Sequence, residues 1–123
     1  MNHSKEYFLI IKPGSMEISV IQWTESGLLQ FLYNQIECRS IEVVYAYRLQ
    51  PLQLLMIVDE EGRLNGARYN ILASFLYRFD RIHGAAVIGK QVVRDGEQDL
   101  GGWKTLAEAV DAKQRIERIW KEE

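Results

Sequence analysis

The sequence predicts an α+β fold, a mostly antiparallel or mixed five-stranded sheet covered by two or three helices. Three observations carry that reading. Leu54 to Val58 is an unbroken apolar run, the pattern of a strand buried on both faces. Strand-like segments beginning near Tyr7, Met16 and Ile41 are joined to a neighbouring segment by connections shorter than the roughly dozen residues a parallel crossover needs, which favours antiparallel pairing. Helical periodicity is confined to segments near Leu28, Ile71 and Leu106, leaving helices to cover the sheet in a two-layer sandwich.

In chain order, Tyr7 to Ile11 is a compact apolar strand, and Lys12-Pro13-Gly14 is a turn. Met16 to Gln22 alternates and pairs back as a hairpin, with Met16, Ile18 and Val20 on one side. Trp23 to Leu28 has the grammar of a helix start. Thr24 is placed to cap it, with Trp23 and Leu28 as the hydrophobic staple. Leu28, Leu29, Leu32 and Ile36 form the expected buried stripe, widened by Phe31 and Tyr33. Cys38 to Tyr47 returns to period two, with Ile41, Val43, Tyr45 and Tyr47 on one face, and Gln50-Pro51 breaks it. The Leu54 to Val58 strand follows and exits through an acidic turn, Asp59 to Gly62.

The second helix is expected over about Ile71 to Phe79, capped by Asn70 and buried through Leu72, Phe75, Leu76 and Phe79. A strand from Ala85 to about Val93 is interrupted by Gly89 and closed by Arg94-Asp95-Gly96. Residues 105–120 form a C-terminal amphipathic helix opened by a capping box, Thr105 and Glu108. Leu106, Ala109, Val110, Ala112, Ile116, Ile119 and Trp120 make its apolar face. Asp111/Arg115, Lys113/Glu117 and Glu117/Lys121 are ion pairs at spacing four on its other side.

The 123 residues suit one globular domain spanning 1–123, and 47% apolar with 26% charged residues is ordinary globular composition. A formal net charge of −2 supplies no long-range field for nucleic acid or anionic membrane, so no membrane partner is expected and nucleic acid is disfavoured. Cys38 is the sole cysteine, which excludes an intramolecular disulfide and a multi-thiolate zinc site and points to a reducing cytoplasm. The apolar run at Tyr7 is closed by Lys12-Pro13 without a cleavage-site pattern, and no stretch approaches the roughly 18 apolar residues of a membrane span.

Candidate chemistry is sparse. Asp59, Glu60 and Glu61 lack the spacing of a calcium loop and read as a solvated turn, so no metal is expected. His83 has no nearby Ser or Cys in a nucleophile arrangement, His3 sits close to the terminus, and Cys38 reads as a small core hydrophobe. Asn65-Gly66 and Gly101-Gly102 match neither a dinucleotide fingerprint nor a phosphate loop, and no cofactor is expected. Tyr45, Tyr47, Tyr69 and Tyr77 with Arg48, Arg68, Arg78 and Arg81 would make a nucleic-acid patch if they faced solvent together; core aromatics beneath ordinary surface arginines is the simpler reading.

The segment VDEEGRLNG, the downstream Tyr69-Asn70 and the later IHGAAVIG resemble the DUF3846 group of small bacterial and phage-associated proteins. The resemblance covers roughly Tyr7 to Val92. It includes the Pro13-Gly14 turn after the first strand, the acidic residues and glycine at Asp59 to Gly62, and Asn70 before the next helix. Ala67-Arg68 stands where similar proteins often carry a proline. The resemblance implies an accessory or counter-defence role in a phage or mobile element and implies no particular chemistry.

Three functions follow as expectations. The first is a non-enzymatic binding or regulatory module for an unidentified protein or small anionic ligand. The second is nucleotide or nucleic-acid binding, which requires Arg68, Tyr69 and Arg81 to converge on a concavity. The third is a small enzyme of hydrolytic or transfer chemistry, which requires Asp59, His83 or Asn70 to share a pocket. The expected binding face is Asp59, Glu61, Asn65, Arg68, Tyr69 and Asn70, where a strand exit meets the free amides of a helix start. A homodimer is expected from Ile116 and Trp120 on the last helix and from sheet edges near Tyr7 or Val92.

Overall fold

A computed structural model describes residues 6–24 and 27–121; His3 therefore lies outside the described residues, as do Glu25 and Ser26 of the expected helix start. The fold is α+β. Its sheet runs β2-β1-β5-β4-β3, with β6 paired to β5, and every pairing is antiparallel. The strands are β1 (Tyr7–Ile11), β2 (Ile18–Gln22), β3 (Ile41–Val44), β4 (Leu54–Asp59), β5 (Ala86–Arg94) and β6 (Glu97–Gly101). The helices are α1 (Leu28–Ile36), α2 (Ile71–Tyr77) and α3 (Leu106–Lys121), with a 3₁₀-helix at Tyr47–Leu52.

The sheet has two buried faces. On one side Phe8, Ile10, Leu55, Ile57 and Val87 pack against Phe31, Leu32 and Ile36 of α1. On the other, Leu9, Ile11, Met56, Val58 and Ile88 meet Leu72 and Leu76 of α2 and Ala109 and Ile116 of α3. The domain therefore has three layers where two were expected. The cause is legible in the strands themselves: β4 is buried at every position and β1 at four of five, which one helical layer cannot achieve.

Several expectations on element bounds are corrected. Met16 is 53% exposed and lies before β2, because Glu17 N donates to Ser15 Oγ and curls the chain until Ile18. Helix α1 begins at Leu28 with Gly27 at its N-cap and no side-chain cap, so Thr24 does not serve. Phe31, its ring 5.8 Å from that of Phe8 and tilted to it, takes the buried place expected of Leu29, which is 53% exposed. Strand β3 stops at Val44. Beyond it Leu49 and Gln50 both donate to Ala46 O, winding Tyr47 to Leu52 into a 3₁₀-helix that accommodates Pro51 and ends at left-handed Gln53. Val44 and Ala46 are the buried pair, which leaves Val43, Tyr45 and Tyr47 exposed.

The sixth strand was not expected. Asp95 (φ 52°) and Gly96 (φ 81°) form the two-residue turn whose paired positive φ values match strand twist, and Arg94 pairs with Glu97 across it. Strand β5 is not interrupted: at Gly89 it lets Gly101 O and Leu100 come where a Cβ would stand. The capping box at Thr105 and Glu108 forms in both directions, and all three ion pairs on α3 are made. Ile116 is fully buried, Trp120 packs against the core, and β1 and β5 are interior strands; the features behind the expected dimer are thus used within the chain. Among the described residues no helix is long and apolar enough to cross a membrane.

Candidate functional site

The polar face expected at the β4 exit divides into bracing residues and surface residues. Asp59 is 9% exposed and its carboxylate accepts from Glu61 N at 2.8 Å and Asn65 Nδ2 at 3.3 Å, holding the turn closed. Asn70 is fully buried. Its Oδ1 accepts from Ala73 N at 3.0 Å as the cap of α2, and its Nδ2 donates to Ile11 O at 3.0 Å and Gly84 O at 2.9 Å. Glu61, Asn65 and Arg68 are exposed, and the Arg68 guanidinium lies against Gly14 of the β1–β2 turn. Tyr69 is 43% exposed, with its ring 5.7 Å from that of His83 and 5.6 Å from the guanidinium of Arg81.

A second face lies around the C-terminal end of α2. Arg48, on the 3₁₀-helix, donates Nη1 to Phe75 O at 2.8 Å and lies 4.2 Å above the Phe75 ring. It satisfies one of the helix's otherwise unpaired terminal carbonyls. Arg78 ends the helix at φ 80°, ψ −35°, a conformation disfavoured for a residue with a Cβ. That backbone throws the Arg78 guanidinium 4.3 Å over Tyr47 and turns Phe79 outward, 64% exposed and roughly perpendicular to both Tyr47 and Tyr77. Arg48, Tyr69, Phe75, Arg78, Asp80 and Arg81 are among the residues lining one open concavity of about 470 Å³. The carboxylate of Asp80 is already engaged by Arg63 at 2.8 Å and by the backbone N–H of Arg81 at 2.7 Å. Those two contacts, the Arg81 N–H first, hold its carboxyl below the usual range.

Of the residues required for nucleic-acid chemistry, Tyr69 and Arg81 meet at this concavity together with Arg48 and Arg78, while Arg68 lies apart from it. The sequence groups the tyrosines and arginines, whereas Phe79 falls on the apolar stripe expected of α2 and so reads as core. The helix ends two residues earlier than expected and puts it in solvent.

Asp59 and His83 do line a common depression of about 230 Å³ with Arg63 and Arg81. His83 Nδ1 is 3.0 Å from Ala67 O, which can only accept, so that nitrogen carries the proton. No Ser, Thr or Cys lines this depression, and Asn70 is not part of it. Cys38 is half-buried elsewhere; burial first, and then the charge of Asp59, push its thiol pKa up and away from nucleophilic use. Among the described residues no group of three or more His, Cys, Asp or Glu side chains could hold a metal ion.

Compared with known proteins, residues 5–108 match the model of a family described as a domain of unknown function (DUF3846). No curated protein and no solved structure matches the chain.

Proposed function

The chain belongs to the DUF3846 family, and from that premise we propose that it is a non-enzymatic binding module whose working face is the concavity at the end of α2. The observation that carries this reading is the convergence of Arg48, Arg78 and Arg81 with Tyr69 and Phe75 on a concavity whose one lining carboxylate, Asp80, is already paired. A guanidinium group above a ring still presents N–H donors to carboxylate or phosphate, Arg48 having committed its Nη1 to Phe75 O. The ligand on this reading is the anionic group of a partner. Tyr69 contributes directly. Asp59, Asn65 and Asn70 support it by fixing the loop that carries Tyr69, while Glu61 and Arg68 lie outside the concavity. A cytoplasmic, phage- or mobile-element-associated regulatory role belongs to the same proposal, supported by the lone Cys38 and by the family resemblance.

The test is a titration of protein labelled with ¹⁵N at arginine against inorganic polyphosphate, following side-chain Nε signals by NMR. Shifts at Arg48, Arg78 and Arg81 are expected, with Arg94 on the β5–β6 hairpin unmoved. Uniform small shifts at every arginine, or none, would remove this face as an anion site.

A further inference from the structure

The anion-binding reading leaves the aromatic rings unexplained, and they are the unusual part of the face. Tyr47 and Phe79 are 51% and 64% exposed, where burial would have been the easier outcome for both. They are held 6.1 Å apart, and Phe79 is 5.6 Å from Tyr77, so their positions are mutually fixed. The backbone that exposes Phe79 is the disfavoured positive-φ conformation at Arg78, a strain that a glycine would have relieved. Tyr69 supplies a further exposed ring beside Arg81. Tyr47, beneath Arg78, and Phe79 thus stand beside the concavity whose own lining carries Arg78, Arg81 and Tyr69.

Resting on the proposed anion-binding function, we infer that this face takes single-stranded nucleic acid, with bases stacked on Phe79 and its neighbouring rings and backbone phosphates on Arg48, Arg78 and Arg81. A protein's acidic segment would use the guanidinium groups but does not pair a planar ring with each charge. A duplex offers phosphates but keeps its bases stacked on one another. A single strand presents both, an unstacked base and a phosphate in each nucleotide. The net charge of −2 disfavours long-range gathering of polyanions and does not oppose a short local contact of this kind.

Fluorescence anisotropy with a labelled oligothymidine of about eight nucleotides, within the usual site size of such surfaces, tests the inference. The comparison ligands are an abasic strand of equal length, the corresponding duplex, inorganic polyphosphate and an acidic phosphopeptide of equal charge. The oligothymidine should bind about tenfold more tightly than the abasic strand. Three phosphate contacts should weaken it about twentyfold between about 50 and about 200 mM salt. Phe79→Ala should lower oligothymidine affinity about tenfold and leave abasic binding unchanged, with Phe79→Tyr restoring it. Arg81→Gln should weaken both strands, and Arg94→Ala neither. Tyr47→Ala is the second aromatic variant should Phe79→Ala fail to fold by circular dichroism. Equal affinity for the thymidine and abasic strands would overturn the inference while leaving anion binding standing, and so would tighter binding of the duplex or the phosphopeptide. Failure of every polyanion, polyphosphate included, would overturn both.

Discussion

Asn70→Ala should be far more damaging than the loss of a surface helix cap. Removing an exposed cap costs about 1 kcal/mol. Asn70, however, is fully buried and ties three segments together: Oδ1 holds Ala73 N at the start of α2, and Nδ2 holds Ile11 O at the end of β1 and Gly84 O before β5. Truncation leaves one amide and two carbonyls without these partners, each at a cost of about 1–3 kcal/mol where water cannot replace them. Allowing for relaxation, the loss should be about 3–5 kcal/mol, a large share of the total stability of a domain this size. Urea unfolding followed by circular dichroism measures it, as a fall in the midpoint of about 2 M at unchanged slope. Asn70→Asp separates the two roles. It keeps the cap acceptor but sets a carboxylate against two carbonyl oxygens, which raises the folded-state pKa of the introduced group. The folded state then holds more protons than the unfolded one, so stability of that variant should fall as pH rises through and above about 4. A loss near 1 kcal/mol for Asn70→Ala, or a flat pH profile for Asn70→Asp, would refute the account of Asn70 as a three-way tie.

Gly62→Ala should destabilise by about 2–3 kcal/mol in the same urea assay, because the added Cβ would land on the backbone oxygen of His83 and backbone must move to admit it. Thr105→Ala should cost about 1 kcal/mol by opening the reciprocal cap of α3, seen as faster amide hydrogen exchange in its first turn. Asp80 should titrate below an ordinary aspartate by carboxyl ¹³C NMR, and Arg63→Ala should move its midpoint upward. Since its folded pKa is depressed, whatever stability it lends is present at neutral pH and fades as pH falls through that lowered value. Cys38 should alkylate more slowly than a free thiol at neutral pH and speed up as pH rises, measured by mass spectrometry after timed iodoacetamide exposure.

The parts of the fold that the sequence made legible are those where one local rule acts alone. The five apolar residues of β4, the Asn70 cap, the Thr105 and Glu108 box and the three ion pairs of α3 each follow from spacing and side-chain chemistry within a few residues. The errors fall where two rules compete. Asp95-Gly96 was a hairpin turn in plain view, but the five residues after it, Glu97-Gln98-Asp99-Leu100-Gly101, are too polar and glycine-rich to look like a strand. Pairing with the outer half of β5 makes them one. Tyr45 and Tyr47 continued the period-two pattern of β3, yet the Ala46 carbonyl captured two amides and diverted the chain into a 3₁₀-helix.

The candidate site was half legible for the same reason. Its charges and tyrosines could be collected from the sequence, because arginine and tyrosine are surface-tolerant residue types. What assembles them is a backbone event, the end of α2 at Tyr77 with Arg78 at positive φ, which no composition or periodicity announces. Had α2 continued to Phe79, that ring would have followed Leu72 and Leu76 inward. Arg78 would then have had no route to the Tyr47 ring. The same turn that costs the helix its last residues thus creates both the exposed aromatic and the cation above its neighbour. The polar residues that looked most functional, Asp59 and Asn70, spend their hydrogen bonds on holding the adjacent loop and helix in the positions this face requires.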